Sequence, residues 1–135
     1  MPEGKNIVKS FNLDHRKVIA PFIRYADSIT SPNNDIITKL DLRFTQPNKE
    51  FMDNSSIHSL EHLLATKLRE GKKYNIIDLS PMGCQTGFYL SVFGKIDLKE
   101  FKEYFVWSLN EILKANEIPG NSEIECGNYK NLNLD

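Results

Sequence analysis

Along residues 36–44, IITKLDLRF, apolar and polar side chains alternate. Ile36, Thr38, Leu40, Leu42 and Phe44 fall on one side and Lys39, Asp41 and Arg43 on the other. That pattern predicts a strand with one buried face in an antiparallel sheet. The SPNND stretch at 31–35 separates it from the segment at 17–25, so the two are expected to pair as a hairpin. The period changes at 57–70, IHSLEHLLATKLRE, where Ile57, Leu60, Leu64 and Leu68 recur at helical spacing. Ser55 and Ser56 are candidate N-caps for this helix, and Gly71 stands where a glycine would end it. NIIDLS (75–80) and FYLSVF (88–93) predict two more strands, joined by the loop PMGCQTG. A second helix is expected over 98–116, opened by Asp97 three residues before Glu100. Its buried stripe is Leu98, Phe101, Phe105, Leu109 and Ile112, with Trp107 near the edge. From Pro119 to Asp135 the chain is polar and without a clear period.

Strands outnumber helices, and the βαβαβα rhythm of a parallel sheet is missing. The expected fold class is therefore α+β: a mainly antiparallel sheet with helices packed on one face. No repeat or linker interrupts the chain, and 135 residues suit one compact domain, 1–135.

Composition narrows the class further. Hydrophobic residues make up 40% and charged residues 26%, the balance of a folded soluble protein. A formal charge of −1 gives no basic surplus, so no nucleic-acid partner is expected. The opening MPEGKNIVKSFNLDH lacks an apolar stretch of leader length. No run approaches the roughly 18 apolar residues that cross a bilayer, so no membrane partner is expected either. These readings place the chain in the cytoplasm, where Cys84 and Cys126 would stay reduced rather than pair.

Candidate chemistry begins on the first helix. His58-Ser59-Leu60-Glu61-His62 is an H-x-x-E-H pattern, and positions four apart on a helix point the same way. Both imidazoles can reach one metal ion, with Glu61 at the edge of the site to exchange protons. The same pattern marks the inverted zinc peptidases, which need a glutamate as third ligand. As a chance pair, the two histidines would be ordinary surface or core residues. Against that stand three facts. Two of only three histidines sit here, the helix is apolar on its inner face, and two cysteines are available as further ligands. Two histidines and one thiolate leave a fourth position open for water or substrate, whereas a second thiolate would close the site and make the metal structural. Spacing alone does not decide which cysteine is the ligand.

The second candidate is the loop DLSPMGCQTG at 78–87, which places Cys84 in a tight turn after an apolar strand. Gly83 and Gly87 are expected to let the backbone approach a ligand closely. A thiol near a bound cation can serve as general acid or base near neutral pH. The plain alternative is a small buried hydrophobe, the commonest use of cysteine.

Taken together, SFNLDH (10–15), VIAPFIR (18–24), LDLRFTQPN (40–48), IHSLEHLLA (57–65), IIDLSPMGCQTGFYL (76–90) and ECGNYK (125–130) resemble the S-ribosylhomocysteine lyase family, also called LuxS. The resemblance covers most of the chain in the family's order. It implies a homodimer with two identical active sites at the subunit interface. It implies a small-molecule substrate, S-ribosylhomocysteine, whose ring-opened ribose is isomerised from aldose to ketose in steps. β-Elimination then releases L-homocysteine and 4,5-dihydroxy-2,3-pentanedione, the autoinducer-2 precursor. One divalent metal ion per subunit is implied, Fe2+ natively, with Zn2+ or Co2+ able to substitute.

Carried over by position, the resemblance makes His58, His62 and Cys126 the metal ligands, and Glu61 and Cys84 the proton-transfer residues. Arg43 falls on the Cys84 side, where its place on the polar face of its strand would otherwise suggest a solvated residue. Ser10 and His15 match substrate contacts supplied across the dimer interface, and Asp78 matches a supporting position at the substrate. Family members usually continue beyond the position matched by Asp135. The assignment makes chemical sense, because sugar isomerisation removes a proton beside a carbonyl that a Lewis acid polarises, and two proton carriers can serve adjacent carbons.

Overall fold

The computed structural model describes residues 7–135; the reading of residues 1–6 as free of a leader lies outside them. After a short 3-10 helix at Lys9–Asn12, the strands β1 (Phe22–Thr30) and β2 (Ile36–Arg43) form the expected hairpin. Its strand begins later than the 17–25 segment, because the SPNND turn sets where pairing starts. There the Ser31 N–H donates to the Asp35 carbonyl at 2.7 Å, and Thr30 faces Ile36. Asn34 supplies the turn's positive φ of 67°, which asparagine tolerates better than most residues.

Helix α1 spans Asn54–Glu70. Its N-cap is Asp53, not Ser55 or Ser56: the Asp53 carboxylate accepts from the Ser56 N–H at 2.7 Å. Ser55 has another task, donating its hydroxyl to the Asn131 carbonyl at 2.6 Å. Strands β3 (Ile76–Pro81) and β4 (Gly87–Phe93) flank the Cys84 loop. Helix α2 runs Leu98–Leu113, capped by Asp97, whose carboxylate accepts from the N–H groups of Lys99 and Glu100. It stops three residues short of 116: Leu113, its last residue, is exposed, Lys114, Asn116 and Glu117 are polar, and the chain then turns toward Pro119.

The four strands lie in the order β1-β2-β4-β3, every neighbouring pair antiparallel. Cross-strand pairs Leu40–Leu90 and Leu42–Phe88 set one face of the sheet, and Leu79 continues it beside Leu90. Against that face pack Leu64 and Leu68 of α1 with Phe101 and Phe105 of α2, forming one buried cluster. The α+β expectation therefore holds in class, in strand direction and in the placing of the helices. No helix among the described residues is long and apolar enough to cross a membrane.

One expectation about β2 is corrected. Only its helix-facing side was expected to be buried, yet Asp41 is 0% and Arg43 3% exposed. A middle strand has neighbours on both sides, and here its second face carries a closed ion network. Two contacts from Arg43 reach Asp41, Nε at 3.1 Å and Nη2 at 2.8 Å, while Arg24 reaches the same carboxylate from β1 at 3.0 Å. A buried charge persists where it is paired and hydrogen-bonded in this way.

Candidate metal centre and active site

His62 stands four positions after His58 on α1, so their rings share one side of the helix, with centroids 4.8 Å apart. The C-terminal segment lies across that side and fixes each ring through its Nδ1. Nδ1 of His58 meets Asn131 Oδ1 at 2.9 Å, and Nδ1 of His62 meets the Pro119 carbonyl at 2.8 Å. Both partners are acceptors, so each Nδ1 carries the proton and each Nε2 keeps its lone pair for a ligand bond.

Those lone pairs converge on Cys126, whose Sγ lies 3.4 Å from His58 Nε2 and 3.8 Å from His62 Nε2. Nitrogen and sulfur donors on one tetrahedral ion, at about 2.0 and 2.3 Å, stand roughly 3.6 Å apart. The three donor atoms all lie within 4.8 Å of one another, so the set fits a single divalent ion. All three residues are half-buried. This settles what spacing left open: the cysteine beside the histidines is Cys126. Gly120, at φ 69°, lets the chain pass close to the ring, because a Cβ there would lie 3.2 Å from His62 Nδ1.

Glu61, half-buried on the same helix, lines a depression of about 390 Å³ with His62, Arg69, Asp78 and Gly120. Asp78 thus lies on the metal side, where its carboxylate accepts from the Ser80 hydroxyl.

Cys84 occupies a different place. Its loop is a turn between β3 and β4, closed by the Gln85 N–H to the Met82 carbonyl at 2.9 Å and by Gln85 in a left-handed conformation. The Gln85 amide binds the Met52 carbonyl at 3.0 Å and Asn54 Oδ1 at 2.9 Å, tying the loop to the start of α1. Of the two glycines expected to admit a ligand, Gly87 has another task. A Cβ on Gly87 would lie 2.2 Å from the Leu42 carbonyl oxygen, so its close approach is to strand β2 rather than to a ligand. Nothing lies within 4 Å of the Cβ position of Gly83.

Sγ of Cys84 is 3.0 Å from Thr86 Oγ1, and that oxygen accepts from Arg43 Nη1 at 3.1 Å. Burial by itself would lower the Arg43 pKa, but the hydrogen bonds and charge of Asp41, aided by Cys84 and Tyr89, hold it above its ordinary value. Cys84 itself is exposed, so it is not the buried hydrophobe of the plain alternative. It opens on a depression of about 550 Å³ lined also by His15, Arg43, Glu50, Phe51 and Thr86. The His15 ring is held by Nδ1 to the Leu13 carbonyl at 2.8 Å. Ser10 is not in that group; it lines a separate depression of about 190 Å³ with Arg24, Lys39 and Tyr89.

The chemistry therefore falls into two groups within one chain. His58, His62, Cys126, Glu61 and Asp78 form one, and Cys84, Arg43 and His15 the other. Three participants were not singled out from the sequence: Asn131, Thr86 and Asp41. Thr86 stood two residues from Cys84 in a loop already marked, and Asp41 two residues from Arg43 on the same face of one strand, so both could have been paired with their neighbours by position. Asn131 had no such signal, because its partner lies 73 residues away.

Comparison with known proteins follows the same lines. Residues 8–135 match the profile of S-Ribosylhomocysteinase (LuxS). The S-ribosylhomocysteine lyase of Clostridium botulinum (strain Alaska E43 / Type E3) is 53% identical over 127 residues, 94% of this chain and 83% of that protein. The S-ribosylhomocysteine lyase of Clostridium perfringens (strain SM101 / Type A) is 50% identical over 123 residues, covering 91% and 81%. That of Helicobacter acinonychis (strain Sheeba) is 48% identical over 134 residues, covering 99% and 85%.

Proposed function

The chain belongs to the S-ribosylhomocysteinase (LuxS) family, and on that footing we propose that it is a carbon–sulfur lyase acting on S-ribosylhomocysteine. It isomerises the opened ribose from aldose to ketose and eliminates the thioether sulfur. The products are L-homocysteine and 4,5-dihydroxy-2,3-pentanedione. The observation that carries this reading is the convergence of His58 Nε2, His62 Nε2 and Cys126 Sγ on one point beside Glu61. Three protein donors leave room for a substrate oxygen, which a closed structural site would not.

His58, His62 and Cys126 hold one divalent ion, Fe2+ in the cell and replaceable by Zn2+ or Co2+. Bound there, the ion supplies Lewis-acid polarisation of the sugar carbonyl. The remaining work falls to side chains. Glu61 takes and returns protons on the metal side, and Cys84 does so on the other, each at a different carbon of the sugar. Arg43 and His15, which line the Cys84 depression, contact the substrate, as do Ser10 and Asp78.

The protein works as a homodimer. One chain keeps its metal group and its thiol group in separate depressions, which supports a site completed when the Cys84 side of one subunit meets the metal side of its partner. It acts in the cytoplasm, and its products feed methyl-group recycling and autoinducer-2 signalling.

The test is homocysteine release from S-ribosylhomocysteine, followed with a thiol-reactive dye on anaerobic protein loaded with Fe2+ or Co2+. Release that disappears in Cys84→Ala and in Glu61→Ala, with metal content intact, is expected. A folded, metal-loaded dimer that releases no thiol would overturn the reading.

A further inference from the structure

Thr86 has no part in the reaction as described, yet it is 3% exposed and sits between two groups that do. Its hydroxyl oxygen accepts from Arg43 Nη1 at 3.1 Å and stands 3.0 Å from Cys84 Sγ. A guanidinium can only donate, and a hydroxyl has a single hydrogen to give. With Arg43 held on one lone pair, the arrangement that satisfies the Thr86 hydrogen turns it toward the Cys84 sulfur. The reverse arrangement, with the thiol donating, would leave a buried hydroxyl hydrogen without a partner, which is costly.

Charge points the same way. Two guanidiniums, Arg24 and Arg43, converge on the one carboxylate of Asp41, which is wholly buried. The cluster therefore holds one positive charge more than Asp41 neutralises. Arg24 is 28% exposed and can share its charge with solvent, while Arg43 is 1% exposed at its side chain and cannot. Of Arg43's guanidinium nitrogens, Nε and Nη2 bind Asp41 and Nη1 reaches Thr86. Thr86 is the atom-to-atom link between Arg43 and the Cys84 sulfur.

We propose that Thr86 is a positioning residue for Cys84: its hydroxyl, oriented by Arg43, donates to the Cys84 sulfur and holds it as a thiolate aimed into the depression beside His15. This rests on the reading of Cys84 as a proton carrier, but its test does not need turnover. The rate of Cys84 alkylation by iodoacetamide is measured against pH on metal-loaded protein, with Cys84→Ala as the blank. Wild type is compared with Thr86→Val, Thr86→Ser and Thr86→Ala.

Loss of the hydroxyl in Thr86→Val should slow alkylation near neutral pH by about tenfold or more, the scale of a hydrogen bond to a charged group, and move the rise of the profile to higher pH. Thr86→Ser should keep most of the wild-type profile. Should the valine variant not fold, the serine–alanine pair carries the same comparison, since both lack the methyl group and only serine keeps the hydroxyl. A valine or alanine profile that overlays wild type would overturn the proposal. So would equal displacement of the serine and alanine profiles, which would assign the effect to packing. Displaced alkylation together with unchanged homocysteine release would keep Thr86 in its role and instead remove Cys84 from the proton transfers.

Discussion

Asn131 Oδ1 accepts from His58 Nδ1 at 2.9 Å, so the C-terminal segment sets the tautomer of a candidate metal ligand on α1. The Asn131 backbone carbonyl is itself anchored by the Ser55 hydroxyl at 2.6 Å, which keeps the side chain aimed at the ring. Outer partners of this kind are typically worth about 10–100-fold in metal affinity. Asn131→Leu is expected to weaken zinc binding by that factor, measured by competition with a chromogenic chelator, while Asn131→Asp retains or strengthens it. Equal affinity in the leucine variant would show that His58 is oriented by packing alone.

A cobalt-loaded protein distinguishes the two cysteines. Only Cys126 lies beside the imidazoles, so cobalt should show charge-transfer absorption from a single thiolate. That band should vanish in Cys126→Ala and persist unchanged in Cys84→Ala. Dependence of the band on Cys84 would mean a closed, structural site.

The two glycines of the Cys84 loop should respond in opposite ways. Gly87→Ala forces a Cβ to within 2.9 Å of Arg43 Cα and closer still to the Leu42 carbonyl, a backbone clash that only strand separation relieves. An overpacking cost of about 1–3 kcal/mol is expected in urea unfolding. Gly83→Ala meets open space and should leave the midpoint unchanged. Equal midpoints for both variants would contradict the close packing of β2 against β4.

The start of α1 should be acid-sensitive. Hydrogen bonds from the Ser56 backbone N–H, then its hydroxyl, hold the Asp53 pKa below the ordinary carboxylate value of 3.8. A depressed folded-state pKa stabilises the fold above the unfolded value, and that contribution fades as pH falls through the lower folded value. Asp53→Asn should therefore flatten the fall of Tm with acidification at the low end of the pH range. Parallel Tm curves for the two proteins would show that the cap carries no charge-dependent stability.

Much of the fold was legible because its elements are local. The alternation in IITKLDLRF and the period of IHSLEHLLATKLRE each need only a few residues to declare themselves, and strands and helices stand where those patterns put them. The metal pair was legible for the same reason, being set by one turn of helix. The third ligand was not decided by spacing, since Cys126 reaches His58 across 68 residues of chain. Arg43 was read as a polar-face residue because alternation says which side of a strand a residue takes, not whether that side is covered. Its cover comes from Asp41 beside it on β2, from Thr86 after the Cys84 loop, and from Arg24 of β1, which closes over the same Asp41 carboxylate. Gly87 was given to a ligand because a glycine in sequence reports that something comes close to the backbone, without reporting that it is strand β2.

The clasp between α1 and the C-terminal segment also sets how the molecule bears load. With an ion joining His58 to Cys126, 68 positions apart, a pull on the two chain ends bypasses the stretch between them, strands β3 and β4 included. Force is carried through the coordination bonds until one gives. The length then released, at about 3.4 Å per extended residue, is roughly 230 Å. A single molecule stretched with and without its metal would thus differ in contour length as well as in strength, and the step would read out occupancy of the site one protein at a time.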